Sequence, residues 1–249
     1  MSSVKLSNRL NGKSPSWSVR QMVRASMAML LSRRLFIVRG PANSESVCLT
    51  FDDGPHPEHT PRLLDVLKQW NVRATFFVVG KEIECHPDLA RRISDEGHFI
   101  GNHTFLHDEP GATSSDKLMQ EVTRTNTLLR GLTGTPSFCF RPPHGKLSLP
   151  KLWSLWRAGQ TIALWNTDPK DFACRSADEL AQWFERHSLL GGDIVLMHDN
   201  HPHAADVLPA VIADVRARGL TFGTLADWIP GMETRMPAVA ASQTKEGSL

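Results

Sequence analysis

Residues 47–79 read VCLTFDDGPHPEHTPRLLDVLKQWNVRATFFVV. Two apolar runs, 47–51 and 74–79, flank a segment, 60–70, whose apolar residues recur every three to four positions. Short apolar runs rich in Val, Phe and Thr read as strands, and the longer period reads as a helix packed on one face. Thr60-Pro61 supplies the start signal for that helix. Strand, helix, strand at this spacing is the unit from which parallel sheets are made. The alternation continues through strands at 99–101, 138–140, 161–165, 194–197 and 220–222, with helices at 87–96, 114–132, 149–158, 176–189 and 204–218. His86-Pro87-Asp88 and Ser176-Ala177-Asp178-Glu179 open two of these helices. Gly97, Gly159 and Gly219 follow three of them, where a left-handed cap is expected. Seven strands with six intervening helices predict an α/β protein with a closed or nearly closed barrel of parallel strands. An open doubly wound sheet is the other arrangement that satisfies the pattern.

The bulk properties exclude more than they assign. At 249 residues, 41% hydrophobic and 22% charged, the chain can bury a large core and is neither disordered nor fibrous. A net charge of +2 predicts no nucleic-acid partner. Cys48, Cys85, Cys139 and Cys174 are far apart with no C-x-x-C pair. Cys48 and Cys139 lie in apolar runs and read as buried thiols rather than as a disulfide framework. Residues 1–44 read as a basic extension, with Lys5, Arg9, Lys13, Arg20, Arg24, Arg33, Arg34 and Arg39 and no acidic residue before Glu45. Their longest apolar stretch, 25–31, is interrupted by Ser26 and is too short for an export signal or a membrane span. The expectation is a cytoplasmic protein whose extension packs on the domain or makes a weak contact with a membrane surface. Residues 45–229 form the expected catalytic domain. Residues 230–249, poor in large apolar groups, read as a mobile tail.

In a barrel of parallel strands, chemistry gathers at the carboxyl ends of the strands. Asp52 and Asp53 end the first predicted strand, and His103 and His107 follow the third. Arg141 follows the fourth, Asp168 and Asp171 the fifth, and His198 ends the sixth. Strand side chains alternate faces, so Asp52 and Asp53 are expected to point apart and take different roles, one on a metal and one on protons. His103 and His107, four residues apart, would meet on one face of a helical turn. One carboxylate with two imidazoles suits Zn²⁺, Co²⁺, Ni²⁺ or Mn²⁺ and leaves a position open for water. Arg141 could pair with Asp52, and the proline-rich turn behind it could aim the backbone N–H of His144 into the site. His198 could serve as a general acid if Asp171 orients it. Each element alone has a plainer reading, as an acidic turn, a pair of loop histidines, a proline loop or a core histidine. Their order and placement make the set.

The five elements Thr50-Phe51-Asp52-Asp53-Gly54-Pro55, His103-Thr104-Phe105-Leu106-His107, Arg141-Pro142-Pro143-His144-Gly145, Asp168-Pro169-Lys170-Asp171-Phe172 and Leu196-Met197-His198 resemble those of the NodB-type polysaccharide deacetylases, carbohydrate esterase family 4. The resemblance spans roughly residues 45–229. It implies a distorted (β/α) barrel and a metal-dependent hydrolase that removes N-linked acetyl groups from N-acetylhexosamine units of an oligo- or polysaccharide. It also implies roles: Asp53, His103 and His107 as ligands of a divalent metal, zinc first among the candidates, and Asp52 as general base tethered by Arg141. His144 would give an oxyanion N–H, His198 would be the general acid oriented by Asp171, and Leu196 and Phe172 would wall the acetyl slot. Two positions depart from the family pattern. His144 stands where Tyr is usual, and Phe172 stands where Trp is usual and loses an indole N–H donor. The competing readings are hydrolysis of another C–N bond, as in a cyclic imide, on a related barrel, and a catalytically silent carbohydrate-binding barrel.

Overall fold

The computed structural model describes residues 26–232 except Ala28 and Pro110. In chain order the main elements are β1 (Phe36–Ile37), β2 (Ser46–Asp52), α1 (His59–Gln69), β3 (Thr75–Val78), α2 (Gly80–Cys85), α3 (Pro87–Asp95), β4 (Phe99–Asn102) and α4 (Ser115–Thr133). They continue as β5 (Cys139–Phe140), α5 (Leu149–Arg157), β6 (Thr161–Ala163), α6 (Ala177–Arg186), β7 (Ile194–His198), α7 (His203–Ala217) and β8 (Thr221–Gly223). The strands run β1-β6-β5-β4-β3-β2-β7, all pairs parallel, with β8 paired to the start of β2. Among the described residues no ladder joins β1 to β7. The segment after β6 meets β7 at an isolated parallel bridge, Thr167 to Val195, and the segment after β1 reaches the start of β7 where the Gly40 N–H donates to the Gly192 carbonyl at 2.8 Å. The result is the distorted barrel of α/β class that the strand and helix alternation predicts.

Alternate residues along each strand enter different cores, as the two-residue period of a strand requires. Val47, Leu49 and Phe51 of β2, with Phe76 and Val78 of β3 and Val195 and Met197 of β7, face outward to α1, α3 and α7. Ile37, Cys48, Phe77, Phe99, Cys139, Ala163 and Ile194 face the barrel interior, one from each of seven strands, and are closed off below by Trp228, Ile229 and Met232. Phe36, Phe140 and Ile162 face a third cluster with Leu118, Val122, Leu152 and Leu155 from α4 and α5. Parallel strands covered on both faces read as continuous apolar runs, which is how 47–51 and 74–79 appear in the sequence.

The sheet starts ahead of residue 45. Phe36 and Ile37 pair with Ile162 and Ala163, so the last part of the basic extension is built into the barrel. Residues 1–25, where an extension packed on the domain or against a membrane was expected, and 233–249, most of the expected tail, lie outside the described residues. Met232 is buried. Among the described residues no helix is long and apolar enough to cross a membrane. Gly97, Gly159 and Gly219 have φ of 80°, 74° and 76°, the left-handed caps expected of them. All four cysteines are free, and Cys48 and Cys139 are buried.

Phe77 is fully buried in the barrel, so close to β4 that a Cβ on Gly101 would overlap its ring. Phe77→Ala should cost about 3–5 kcal/mol of stability, measured as a lowered midpoint in urea unfolding.

Candidate active site

The strand ends converge on one pole of the barrel. Asp52 is the last residue of β2, and its register partner on β7 is His198. Asp53, the next residue, leaves the strand with φ of 78°. That left-handed turn cancels the alternation of the strand, so the two carboxylates do not point apart as the period alone predicts. Both face His103: its Nε2 lies 3.4 Å from Asp53 Oδ1 and 3.8 Å from Asp52 Oδ2. His107 Nε2 lies 3.3 Å from the same Asp53 oxygen.

The histidine pair also converges by a route other than the expected helical turn. Residues 103–107 form an irregular loop in which Thr104 and His107 have φ of 69° and 58°. Side-chain hydrogen bonds hold it. The Thr104 N–H donates to Asn102 Oδ1 at 2.9 Å, and the His107 N–H donates to Thr104 Oγ1 at 3.0 Å. The His103 Nδ1–H donates to the Arg141 carbonyl at 2.7 Å, which leaves the Nε2 lone pair facing Asp53.

One atom each from Asp53, His103 and His107 lie within 4.8 Å of one another. Among the described residues no other three His, Cys, Asp or Glu side chains converge in this way. Asp53 Oδ1 is buried without a hydrogen-bond donor, a costly state for a carboxylate oxygen unless a cation sits against it. Burial works against ionisation of Asp53, but the imidazoles of His103, His107 and His198 outweigh it and hold the carboxyl well below the usual range. Burial also opposes a proton on His103, while Asp52 and Asp53 raise its pKa, so a cation here competes with that proton. Burial and the neighbouring His103 lower His107. The residues present therefore fit a divalent cation held by one carboxylate and two imidazoles.

Arg141 is fully buried. One of its terminal nitrogens donates to Asp52 Oδ1 and Thr50 Oγ1, both at 2.7 Å, and the other donates to the Leu164 carbonyl at 3.2 Å. Its Nε donates to the Ala163 carbonyl at 3.4 Å, and the guanidinium lies 4.0 Å over the Phe77 ring. Asp171 is equally buried and holds His198 at two points. Its Oδ1 accepts from the His198 ring Nδ1 and its Oδ2 from the His198 backbone N–H, each at 2.7 Å. Nε2 is thereby left for the site. Burial alone would lower His198, but the Asp171 hydrogen bond and charge, with Asp52 and Asp53, raise it to about 9.

His144 has φ of 54°, and its exposed ring meets the His107 ring edge-on at 5.1 Å. Phe172, half exposed, meets the His198 ring at 5.4 Å, and Leu196 is buried on β7. Asp168 is turned to Lys170 instead, whose backbone N–H and Nζ both donate to it. Four contributors have no expected role in the sequence reading: Thr50, Thr60, Asp199 and Asn200. Thr50 stands inside a quoted motif and Asp199 directly follows one, but a single hydroxyl, amide or carboxyl carries no chemical signature that separates a structural use from a surface one.

The profile of the polysaccharide deacetylase family matches residues 39–163. The chain is 35% identical over 194 residues to a peptidoglycan-N-acetylglucosamine deacetylase of Bacillus cereus, covering 75% of this chain and 69% of the other. It is 32% identical over 213 residues to the chitooligosaccharide deacetylase of Rhizobium leguminosarum bv. trifolii, covering 82% and 96%. The crystal structure of the Bc1960 peptidoglycan N-acetylglucosamine deacetylase superposes with a TM-score of 0.77 at 33% identity, over 83% of this chain and 96% of that one. Fold and site together define a strand-end hydrolase of the barrel class. The chain belongs to the polysaccharide deacetylase family, carbohydrate esterase family 4.

Removing Arg141 leaves the Asp52 carboxylate buried without its cation. Arg141→Met should cost about 3–5 kcal/mol in chemical unfolding, far more than a surface Arg→Met change at Arg157.

Proposed function

We propose that this chain hydrolyses the acetamido group of N-acetylhexosamine units in an oligo- or polysaccharide, with zinc as the metal at Asp53, His103 and His107. The observation that carries this reading is the pairing around the three-residue cluster. Asp52 is held by Arg141 at 2.7 Å on one side, and His198 is held by Asp171 at 2.7 Å on the other. A carboxylate fixed ready to take a proton and an imidazole kept protonated, both facing one cation site, are what amide hydrolysis needs. The preference for zinc follows from the donor set of two imidazoles and one carboxylate. The relatives named above act, by their names, on peptidoglycan N-acetylglucosamine and on chitooligosaccharide; N-acetylglucosamine is the unit common to both.

When bound, a divalent cation polarises the amide carbonyl and acidifies water beside it. The Asp52 carboxylate then takes a proton from the attacking water. Arg141 keeps Asp52 in place. The His144 backbone N–H donates to the oxygen on which negative charge builds; one such donor is worth about 3 kcal/mol of barrier. His198 gives its Nε2 proton to the departing sugar nitrogen. Phe172 and Leu196 present an apolar wall to the acetyl methyl. Acetate and a free amino sugar leave.

Mass spectrometry of N-acetylglucosamine oligomers incubated with the zinc-loaded protein should show losses of one acetyl mass with matching acetate. Unchanged oligomers, with the cation bound, would favour a silent carbohydrate-binding barrel. Asp52→Asn should retain the metal and lower kcat at least ~100-fold; turnover near wild type would remove Asp52 as the base.

His198 is raised in the fold, so its acid form is complete below the ordinary value of 6.5 and is lost as pH rises through about 9. Activity should fall along an alkaline limb in that range. In Asp171→Asn the burial of His198 loses its main opponent and only the charges of Asp52 and Asp53 remain against it, so the limb in a pH–rate profile should move to lower pH.

A further inference from the structure

The two residues after His198 take no part in the chemistry above, yet both are packed against the turn that carries Asp53. Asp199 is almost fully buried. Its backbone N–H donates to the Asp52 carbonyl at 3.2 Å, and its Oδ2 accepts from the Thr60 hydroxyl at 2.6 Å. Thr60 Oγ1 in turn accepts from the His56 N–H at 2.7 Å. The carboxylate lies so close to Gly54 that a Cβ there would overlap it, so glycine is required at that position. Asp199 thus grips the 53–60 loop at its start, through Gly54, and at its end, through Thr60 on the first turn of α1.

Asn200 acts on Asp53 itself. Its amide Nδ2 donates to Asp53 Oδ2 at 3.4 Å. A carboxylate only accepts, so the amide must present its NH₂ to it. The other oxygen, Oδ1, has no donor and is the one facing His103 and His107. A carboxylate rotates readily about its last torsion and can offer a cation one oxygen or two. A donor fixed on Oδ2 removes that freedom. It also leaves more of the cation's coordination sphere for water and substrate, as a catalytic site needs.

We propose that Asn200, backed by the Asp199 clasp on Gly54, is a positioning residue for Asp53 that commits a single carboxylate oxygen, Oδ1, to the metal. The inference rests on the reading of Asp53 as a metal ligand.

The test is zinc affinity, measured by competition with a chromophoric chelator on purified Asn200→Ala and Asn200→Leu proteins, with Asp53→Ala alongside. Leu matches Asn in size and lacks the donor, so it preserves packing where Ala does not. Both Asn200 variants should bind zinc roughly 10- to 100-fold more weakly than wild type, the usual effect of losing an outer-shell partner. The cobalt-substituted Asn200→Leu protein should also show a weaker visible absorption band, as the freed carboxylate adds its second oxygen. A zinc dissociation constant within twofold of wild type in both Asn200 variants, with Asp53→Ala no longer binding, would overturn the role of Asn200 and leave Asp53 as a ligand. Unchanged affinity in Asp53→Ala would overturn the ligand reading and this inference together.

Discussion

A guanidinium is expensive to strip of water, and Arg141 is stripped completely. The barrel offsets that cost with one carboxylate, one hydroxyl and two strand carbonyls, drawn from β2 and from residues 163–164 at the end of β6. The same residue works through its main chain. Its carbonyl accepts from His103 Nδ1, and its N–H donates to the Asn102 carbonyl at 3.0 Å. One side chain and one peptide unit therefore set the position of Asp52 and the tautomer of His103. Thr50 links this to the seventh strand, because its hydroxyl accepts from Arg141 and donates to the Val195 carbonyl at 2.7 Å. The proton-accepting carboxylate, an imidazole of the cation cluster and the strand that ends in His198 are all tied to Arg141.

Around that fixed centre the loops are strained. Six described residues other than glycine have positive φ, and five of them, Asp53, Thr104, His107, His144 and Lys170, lie in loops that follow the strands at the site. Such conformations cost of order 1 kcal/mol or more each and persist where surrounding bonds over-determine them. The bonds are visible here: Thr104 Oγ1 under His107, Asp168 on the Lys170 N–H, and Asp199 pressed on Gly54 beside Asp53. Each unusual turn re-aims a side chain that a regular strand or helix would have sent elsewhere.

Those same turns mark where the sequence is legible and where it is not. Strand and helix alternation is visible because parallel strands buried on both faces give apolar runs and the outer helices keep a 3.6-residue stripe. The two-residue β1 and the six-residue α2 escape, since neither is long enough to show a period. The chemical residue types at strand ends are equally plain, and the structure brings Asp52, Asp53, His103, His107, Arg141, Asp171 and His198 to one pole. How they converge is not legible. A two-residue period sends Asp52 and Asp53 apart, and a helical spacing puts His103 and His107 on one face. Left-handed residues override both, and only glycine announces such a conformation in advance. Thr50, Thr60 and Asn200 are silent for another reason: they act through hydrogen bonds to Arg141 and Val195, to Asp199, and to Asp53, partners distant in the chain.

The account turns on one point in space, the gap between Asp53 Oδ1 and the Nε2 atoms of His103 and His107. Asp52 and His198, register partners at the ends of β2 and β7, stand beside it, and a second histidine group, His56 and His59 stacked at 4.4 Å, is the competitor for a cation. The direct measurement is an anomalous difference map at the zinc edge from crystals grown with one equivalent of zinc. A single dominant peak in contact with all three of those atoms is the predicted result. A dominant peak on His56 and His59, or none at the Asp53 cluster, would contradict it.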